Sequence, residues 1–378
     1  MEKNREIGLL RGIAMCAVVG IHTFSICVSN VTSGKSAWAY LIFHSMLQFA
    51  VPCFIFISSI LLSYTLYGKP LQLKKFYSKK FIRIVIPYIL WTLFYLVFKL
   101  VFRQLTFLDL ASWQNWWLWL GLGKAYTHLY YMSVILQLYL FTPILLGFTK
   151  LVQRIFKKFD LIAIVIIAIS LQVGIYFLNR YFIYQYFKYQ ATMMIWYLYI
   201  ILLGIWIGFN YERFKEGLKK YAVIVWGIFG VNAIIYIRYV ICLKKSIKIN
   251  TAWYQCNWFA YALFATLCLL WICLMLKEKN VHNKVTKAIE VVGDYSFGIY
   301  LMHPVITFVL RKIIHISQPF ILLVVILISY VAMMLMCIGI IKVLKLNKWT
   351  SIIVGEYKLW QKANSSKYKD QMAIESRA

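Results

Sequence analysis

The sequence predicts an all-α, polytopic integral membrane protein, a bundle of about ten transmembrane helices. Of the 378 residues, 62% are hydrophobic and only 14% are charged, whereas a soluble domain carries about a quarter charged residues. The mean hydropathy is +0.73. The apolar residues form repeated runs of about twenty, the length that a helix needs to cross a bilayer. These observations exclude an ordinary soluble domain.

The apolar runs give the predicted spans, which are 7–29, 38–64, 81–102, 126–149, 159–179, 191–210, 221–243, 252–276, 290–314 and 319–344. The first follows a short basic region, as in a signal peptide. It is too long for one, contains Arg11 and ends without a small-residue cleavage site, so we interpret it as a retained span. The tryptophan-rich stretch 113–122 is too short to cross. It either lies at an interface or enters the membrane as a re-entrant piece.

Lys and Arg residues set the predicted orientation. The span ends on the side of the N-terminus carry more than twice as many of them as the opposite ends, which places that side in the cytoplasm. Both termini are then cytoplasmic, as an even number of spans requires. We predict one membrane domain, residues 1–346, and a polar cytoplasmic tail, residues 347–378, that is too short to build its own core.

The formal net charge of +29 does not indicate nucleic-acid binding. The basic residues lie between the apolar runs, where they set topology and meet anionic headgroups. The eight Cys lie almost all in or beside apolar runs and form no C-x-x-C pair. We therefore expect buried thiols rather than disulfides or a metal site.

Four of the six prolines, Pro52, Pro87, Pro143 and Pro304, fall inside predicted spans. Each removes a backbone donor and leaves a carbonyl to be satisfied by a neighbour or by water. Each could be a simple kink. Together they are also consistent with a bundle bent around an interior site.

Two polar side chains share one face of the first span. Arg11 and His22 are almost three helical turns apart, so both project from one stripe, roughly 16 Å apart along the axis. Because both groups are costly against lipid, we expect this face to look into protein or a watery cavity. Arg11 lies about one turn in from the predicted cytoplasmic face, and His22 lies in the outer half. We predict that both are catalytic, with His22 as the general base, and that a single channel joins them.

Arg83 enters the third span at the same predicted face, after Lys79 and Lys80. A planar guanidinium binds phosphate through two parallel hydrogen bonds. Arg11 and Arg83 could therefore flank a mouth that admits a phosphorylated ligand. The alternative for Arg83 is that it reaches out to lipid headgroups, as Arg at span ends commonly does.

The other histidines and the acidic residues limit the kinds of reaction that the site could support. His44, His128 and His303 also fall in or beside spans, but no pair has zinc-ligand spacing and no acid is near in sequence, so no metal is expected. All 12 Asp and Glu lie in loops, tails or span ends. A Ser-His-Asp triad therefore lacks its third member, and ion-driven transport is disfavoured. Asp109, in an external segment, could orient a His if that segment folds inward.

Five runs in this order resemble the signature of the membrane acyltransferase 3 family. They are Arg11-x10-His22; 49–59, similar to F-x-x-P-x-F-F-x-x-S-G; 83–91, similar to R-x-x-x-P-Y-x-x-W; 128–143, similar to H-L-W-F-L…Y…P; and 295–304, similar to Y-S-F-x-I-Y-L-x-H. Each run alone is weak, and the five in sequence are specific. Ten spans also fit the family.

The resemblance implies transfer of an acyl group, usually acetyl, from acyl-CoA as donor substrate to a hydroxyl or amine of a surface or lipid-linked glycan. It also implies a bacterial plasma membrane location and no bound cofactor. Arg11, Arg83 and Lys80 would hold the donor, and His22 would take the acceptor proton or carry the acyl group. The residues that shape the site would be His128, His303, Ser58 and Tyr300.

This chain departs from the pattern at three positions. Ser59 stands where the family usually has Gly, and Tyr130 where Trp is common. Lys80 stands where an Arg often precedes Arg83, which weakens the predicted donor clamp because Lys lacks the planar fork.

Two other hypotheses remain open at this stage. The first is a transporter or flippase of lipid-linked glycan or acylated product, which the bent helices suit. The second is an assembly or sensing component of an envelope pathway, in which Arg11 and His22 only pair helices. The oligomeric state is also open.

Overall fold

The computed structural model describes residues 4–355, and within that range every regular element is helical. The helices are α1 (Arg5–Asn30), α2 (Gly34–Met46), α3 (Ala50–Leu66), α4 (Leu73–Lys80), α5 (Ile86–Val101), α6 (Phe107–Ala111), α7 (Trp113–Trp116), α8 (Tyr130–Leu140), α9 (Thr142–Phe156), α10 (Asp160–Leu178), α11 (Leu198–Phe209), α12 (Tyr211–Lys220), α13 (Ala222–Lys244), α14 (Thr251–Glu278), α15 (Lys284–Ile313) and α16 (Pro319–Leu344). Most of the predicted tail lies outside the described residues. The short helix Thr350–Val354 packs against α5, α15 and α16.

Seven helical stretches of the described chain are long and apolar enough to cross a membrane, which confirms a polytopic helical membrane protein. They are Arg5–Asn30, Gly34–Leu66, Leu73–Val101, Thr142–Ile183, Ala222–Lys244, Thr251–Glu278 and Pro319–Leu344. An eighth is added if Met194–Phe209 and Tyr211–Lys220, bent by 107°, form one span. The total of about ten and the cytoplasmic termini stay predictions. The 30-residue helix α15 falls outside this set, since buried Ser296 and His303 lower its hydropathy.

Three of the four prolines inside predicted spans follow an irregular turn or a break between helices. A 3-10 turn, Leu47–Phe49, separates α2 from α3 just before Pro52. A π turn, Phe81–Val85, precedes Pro87, and α8 ends at Leu140 shortly before Pro143. Only Pro304 lies inside a helix that continues through it. The missing proline N–H explains why regular helix gives way at these positions.

The first helix lies at the centre of the bundle and packs against α2, α3, α14, α15 and α16. Its closest neighbour is α15. A Cβ added at Gly12 would lie 2.1 Å from the carbonyl oxygen of Ile289, and one at Gly293 would lie 2.3 Å from that of Gly8. Gly12 and Gly293 thus let two backbones touch, as small residues do between membrane helices. This contact fixes the register between the faces of α1 and α15.

Small residues also allow a close contact between α3 and α11. A Cβ at Gly204 would lie 2.8 Å from the Ser59 Cβ, and one at Gly208 would lie 2.0 Å from the Ser63 hydroxyl oxygen. Small residues thus stand on both sides of the contact. Ser59, the departure from the family pattern, is part of it and hydrogen-bonds the Ile55 carbonyl at 2.9 Å.

Two buried acids tie helix ends together at the predicted cytoplasmic end. Glu6 is fully buried, accepts a hydrogen bond from Tyr211 at 3.0 Å and pairs with Lys277 at 2.8 Å. Asp160 accepts a hydrogen bond from Trp206 Nε1 at 2.8 Å and pairs with Arg213 at 3.2 Å. Breaking a buried pair leaves an uncompensated charge, so these acids serve the fold.

We expect Gly12→Ala to destabilise the folded protein by about 1–3 kcal/mol, because the added methyl group forces α1 and α15 apart. Thermal unfolding in detergent measures the effect. Gly8→Ala is the matched control, since a Cβ there meets nothing within 4 Å. Equal unfolding temperatures for the two variants would contradict this account of the interface.

Candidate active site

A cavity of about 1170 Å³ opens among α1, α3, α4, α8 and α15, above the usual range for small-molecule sites. Its lining is rich in cations and, among the described residues, includes a single acid, Asp294. The cations are Arg11, Lys69, Lys75, Lys79, Lys80, Arg83 and Lys345. This composition suits a ligand with several negative charges.

Arg83 reaches the cavity from the π turn that precedes Pro87. In this turn the N–H of Ile86 bonds the carbonyl of Phe81, five residues earlier. The proline cannot donate to the carbonyl of Arg83, four residues before it, and the wider turn adapts the helix to that loss. Such turns are frequent at functional sites.

Lys80 lines the same wall, with its Nζ 3.6 Å from the centre of the Tyr139 ring. A cation over an aromatic face is held by the quadrupole of the ring. The predicted donor-binding residues Arg11, Lys80 and Arg83 are therefore brought together around one cavity, although they come from different elements.

Arg11 lies deeper in the cavity than the lysines of α4. Its Nε is buried and has no hydrogen-bond partner among the described residues, while Asp294 and Tyr131 are close enough to interact with its charge. Ser58 lines the cavity with it. A buried guanidinium with an unused donor is a binding group for an anion or a carbonyl oxygen.

Two aromatic residues close the inner end of the cavity. Tyr131 and Tyr300 both line it, with ring centres 5.3 Å apart. The Tyr300 hydroxyl donates a hydrogen bond to the carbonyl oxygen of His128, and the two rings meet edge to face at 5.0 Å. Tyr300 is thus the boundary between the cationic cavity and the histidines behind it.

Three histidines form a continuous row beyond Tyr300. The ring centre of His303 lies 5.7 Å from that of His128 and 4.9 Å from that of His22. His128 is 3% exposed and His303 is 0% exposed, whereas His22 is half-buried. The structure thus brings His128 and His303 into one row with His22, and their role in shaping the site stays a prediction.

One expectation is wrong. A single open channel does not join Arg11 to His22, because the cavity lining includes Arg11 and Tyr300 but not His22, His128 or His303. The physical reason is the packing of Tyr300 against His128, which the spacing of residues along one helix cannot reveal.

The surroundings of His22 differ from those of Arg11. Arg311 and His44 are close enough to interact with the charge of His22, and Arg311 donates a hydrogen bond to the Ser25 hydroxyl at 2.7 Å. These residues lie toward the predicted outer end of the bundle. His22 is therefore approached from the opposite side to the cationic cavity.

The external segment does not supply an acid to this row. Asp109 caps α6, accepting hydrogen bonds from the backbone and side chain of Thr106 at 2.8 and 2.7 Å. These bonds, the side-chain one first, hold the pKa of the Asp109 carboxyl below its ordinary value. Over residues 4–355 no group of three or more His, Cys, Asp or Glu is placed to hold a metal ion.

The tryptophan-rich stretch enters the bundle. The hydroxyl of Tyr88 donates hydrogen bonds to the carbonyl oxygens of Trp119 and Leu120 at 3.1 and 2.8 Å, and Trp119 is buried. Of the two placements that the sequence allowed, these contacts fit the re-entrant one. Residues 122–129, which include His128, form turns rather than helix. The periodicity of the sequence did not indicate these turns.

The model of the family described as "Acyltransferase domain", the acyltransferase 3 family, matches residues 4–342. The chain belongs to this family, which confirms the resemblance of the five sequence runs.

Relatives with curated names come from staphylococci. The chain is 23% identical over 317 residues to a protein of Staphylococcus aureus (strain MRSA252) named "Probable poly-beta-1,6-N-acetyl-D-glucosamine export protein", covering 81% of this chain and 83% of the relative. A Staphylococcus epidermidis protein of the same name is 24% identical over 314 residues, covering 81% and 82%. No solved structure matches this chain.

The histidine row predicts a pattern of chemical reactivity. Diethyl pyrocarbonate should modify the half-buried His22 of the folded protein well before His128 and His303, because the reagent needs access to a ring nitrogen. Peptide mass analysis measures the extent at each site. The exposed His282 and His315 are internal references, and urea-unfolded protein should react at all six. Equal rates at His22 and His303 in the folded protein would contradict the described burial.

Proposed function

We propose that this protein is an integral membrane acyltransferase that moves an acyl group, acetyl as the first candidate, from acyl-CoA to a hydroxyl or amine of a cell-surface or lipid-linked glycan. The observation that carries the proposal is the cationic cavity, whose inner end abuts the histidine row. The family supports acyl transfer, and the names of the relatives support a glycan as acceptor.

The donor would occupy the cavity with its phosphates at the mouth. Coenzyme A carries several phosphate charges at one end and a thioester at the end of a long arm. The lysines of α4 and Arg83 would bind the phosphates, and the arm would extend past Arg11 toward Tyr300. Charge-assisted hydrogen bonds to phosphate are about twice as strong as neutral ones.

The acceptor would reach His22 from the predicted outer side. His22 would take the proton of the attacking hydroxyl or amine as that atom bonds to the acyl carbon. The carbon–sulfur bond then breaks, and coenzyme A leaves as the thiolate and takes up a proton. The group that stabilises the negative charge on the acyl oxygen would have to lie beside His22, so Arg11, roughly 16 Å away along α1, would serve the donor arm instead.

The closed inner end of the cavity sets a requirement on this mechanism. The thioester and His22 meet only when the Tyr300 side chain moves away from His128. Tyr300 is buried and hydrogen-bonded, so the donor arm would have to displace it on binding. Until then the closed arrangement would keep acceptor and water from the donor side.

We expect Arg83→Gln to raise the KM for acyl-CoA roughly tenfold or more with a smaller change in kcat, because one phosphate contact is lost in ground state and transition state alike. Coenzyme A release by the purified protein, measured by chromatography, is the readout. Arg154→Gln is the matched control, since Arg154 lies at the same end of the bundle but outside this cavity. Equal KM values for the two variants would contradict the donor site.

The names of the relatives favour a second candidate function, export of a glycan. Vesicles containing the purified protein distinguish the two. Transfer consumes acyl-CoA and adds an acyl mass to the glycan, whereas export moves labelled glycan across the vesicle membrane without consuming acyl-CoA. Movement without consumption would overturn the proposed activity.

A further inference from the structure

His303 makes a hydrogen bond that fixes which of its nitrogens can act. Its Nδ1 lies 2.9 Å from the carbonyl oxygen of Ile299, one turn earlier in α15. A carbonyl oxygen only accepts, so Nδ1 carries a proton. Full burial without an adjacent carboxylate disfavours a second proton on the ring. The lone pair is therefore on Nε2, and the backbone sets the tautomer.

Nε2 of His303 is a buried hydrogen-bond acceptor. It has no hydrogen-bond partner among the described residues. Leaving a buried polar atom unpaired costs about 1–3 kcal/mol, and such an atom in a native protein calls for a reason. The ring that touches His303 on the predicted outer side is His22.

The ring geometry suits a hydrogen bond between the two. The centroids of His22 and His303 lie 4.9 Å apart and the planes are tilted by 55°, close to the roughly 5 Å separation of two imidazoles that share an N–H···N bond. Rotation of the His22 ring about χ2, a soft torsion, brings a ring N–H toward Nε2. The backbone contact of α1 with α15 at Gly12 holds the two helices at this spacing.

We propose that His303 is the positioning residue of His22. The Nε2 atom of His303 accepts the ring N–H of His22, which leaves the other nitrogen of His22 with its lone pair toward the acceptor. The Ile299 carbonyl, His303 and His22 then form an oriented series. In this series the neutral imidazole of His303 takes the position that the carboxylate has in a serine-hydrolase triad. The kinetic consequence of this inference rests on the proposed function. Its structural consequence, the hydrogen bond between His22 and His303, does not.

The proposal accounts for a feature that the sequence left unexplained. The charged groups that act on His22 are Arg311 and His44, both basic, whereas Asp294 of α15 lines the cavity with Arg11. When His22 takes the proton of the acceptor, its N–H belongs to a cation, and the hydrogen bond that it donates to Nε2 of His303 becomes stronger.

Kinetics of a matched pair of variants test the positioning role. His303→Leu should lower kcat about 100-fold without raising the KM for acyl-CoA, the size expected when the partner of a functional His is lost. His303→Gln should retain at least tenfold more kcat than His303→Leu, because its amide oxygen can accept the His22 N–H. His315→Gln, at an exposed position, is the control and should match the unmodified protein. If the Leu variant equals or exceeds the Gln variant in kcat, His303 only fills space and the proposal is overturned.

A spectroscopic measurement tests the same pair without any reaction. In protein with ring-¹⁵N histidine, assigned through single His→Gln variants, His303 should show a protonated Nδ1. His22 should show one fixed tautomer that becomes a mixture in His303→Leu and stays single in His303→Gln. An unchanged His22 spectrum in the Leu variant would overturn the proposal. If the unmodified protein transfers no acyl group, the proposed function fails, and this spectrum still decides whether His303 orients His22. Should neither variant fold, a His303 without a protonated Nδ1 in the unmodified protein would overturn the proposal.

Discussion

The direct backbone contact between α1 and α15 is the constraint on which the site depends. Glycines at positions 12 and 293 remove the side chains that would separate these helices. Arg11 and His22 come from one helix of the pair, and Tyr300 and His303 from the other. Without side chains to repack, the helices have one close arrangement, so the two polar faces meet in one register.

The site combines two environments that a single helix could not provide. The cavity at the predicted cytoplasmic end is wide, cationic and open to solvent, as charged phosphates require. The histidine row is narrow and shielded, with His303 fully buried. Electrostatic interactions are stronger where water is excluded, so on the proposed function proton transfer and anion binding would take place under different conditions in the same protein.

The sequence predicted the parts of this site that follow from periodicity and motif. The spacing of Arg11 and His22 gave a shared helix face, and the order of five short runs gave the family. The sequence did not predict the contacts between elements that lie far apart along the chain. The His22–His303 pair joins residues that are 281 positions apart in the sequence. The closure of the cavity by Tyr300 depends on residues 122–129, a turn segment with no apolar repeat. The Gly8-x-x-x-Gly12 spacing was a signal for the α1–α15 contact that could have been read from the sequence.

Closure by Tyr300 has a consequence for the cell that carries this protein. A water-filled path from the cationic cavity to His22 would also be a path for protons and small ions, and it would drain the gradient that the membrane maintains. On the proposed function, the contact of Tyr300 with the His128 carbonyl would keep this path closed to ions. The side chain that separates the thioester from His22 would then also limit leakage across the bilayer.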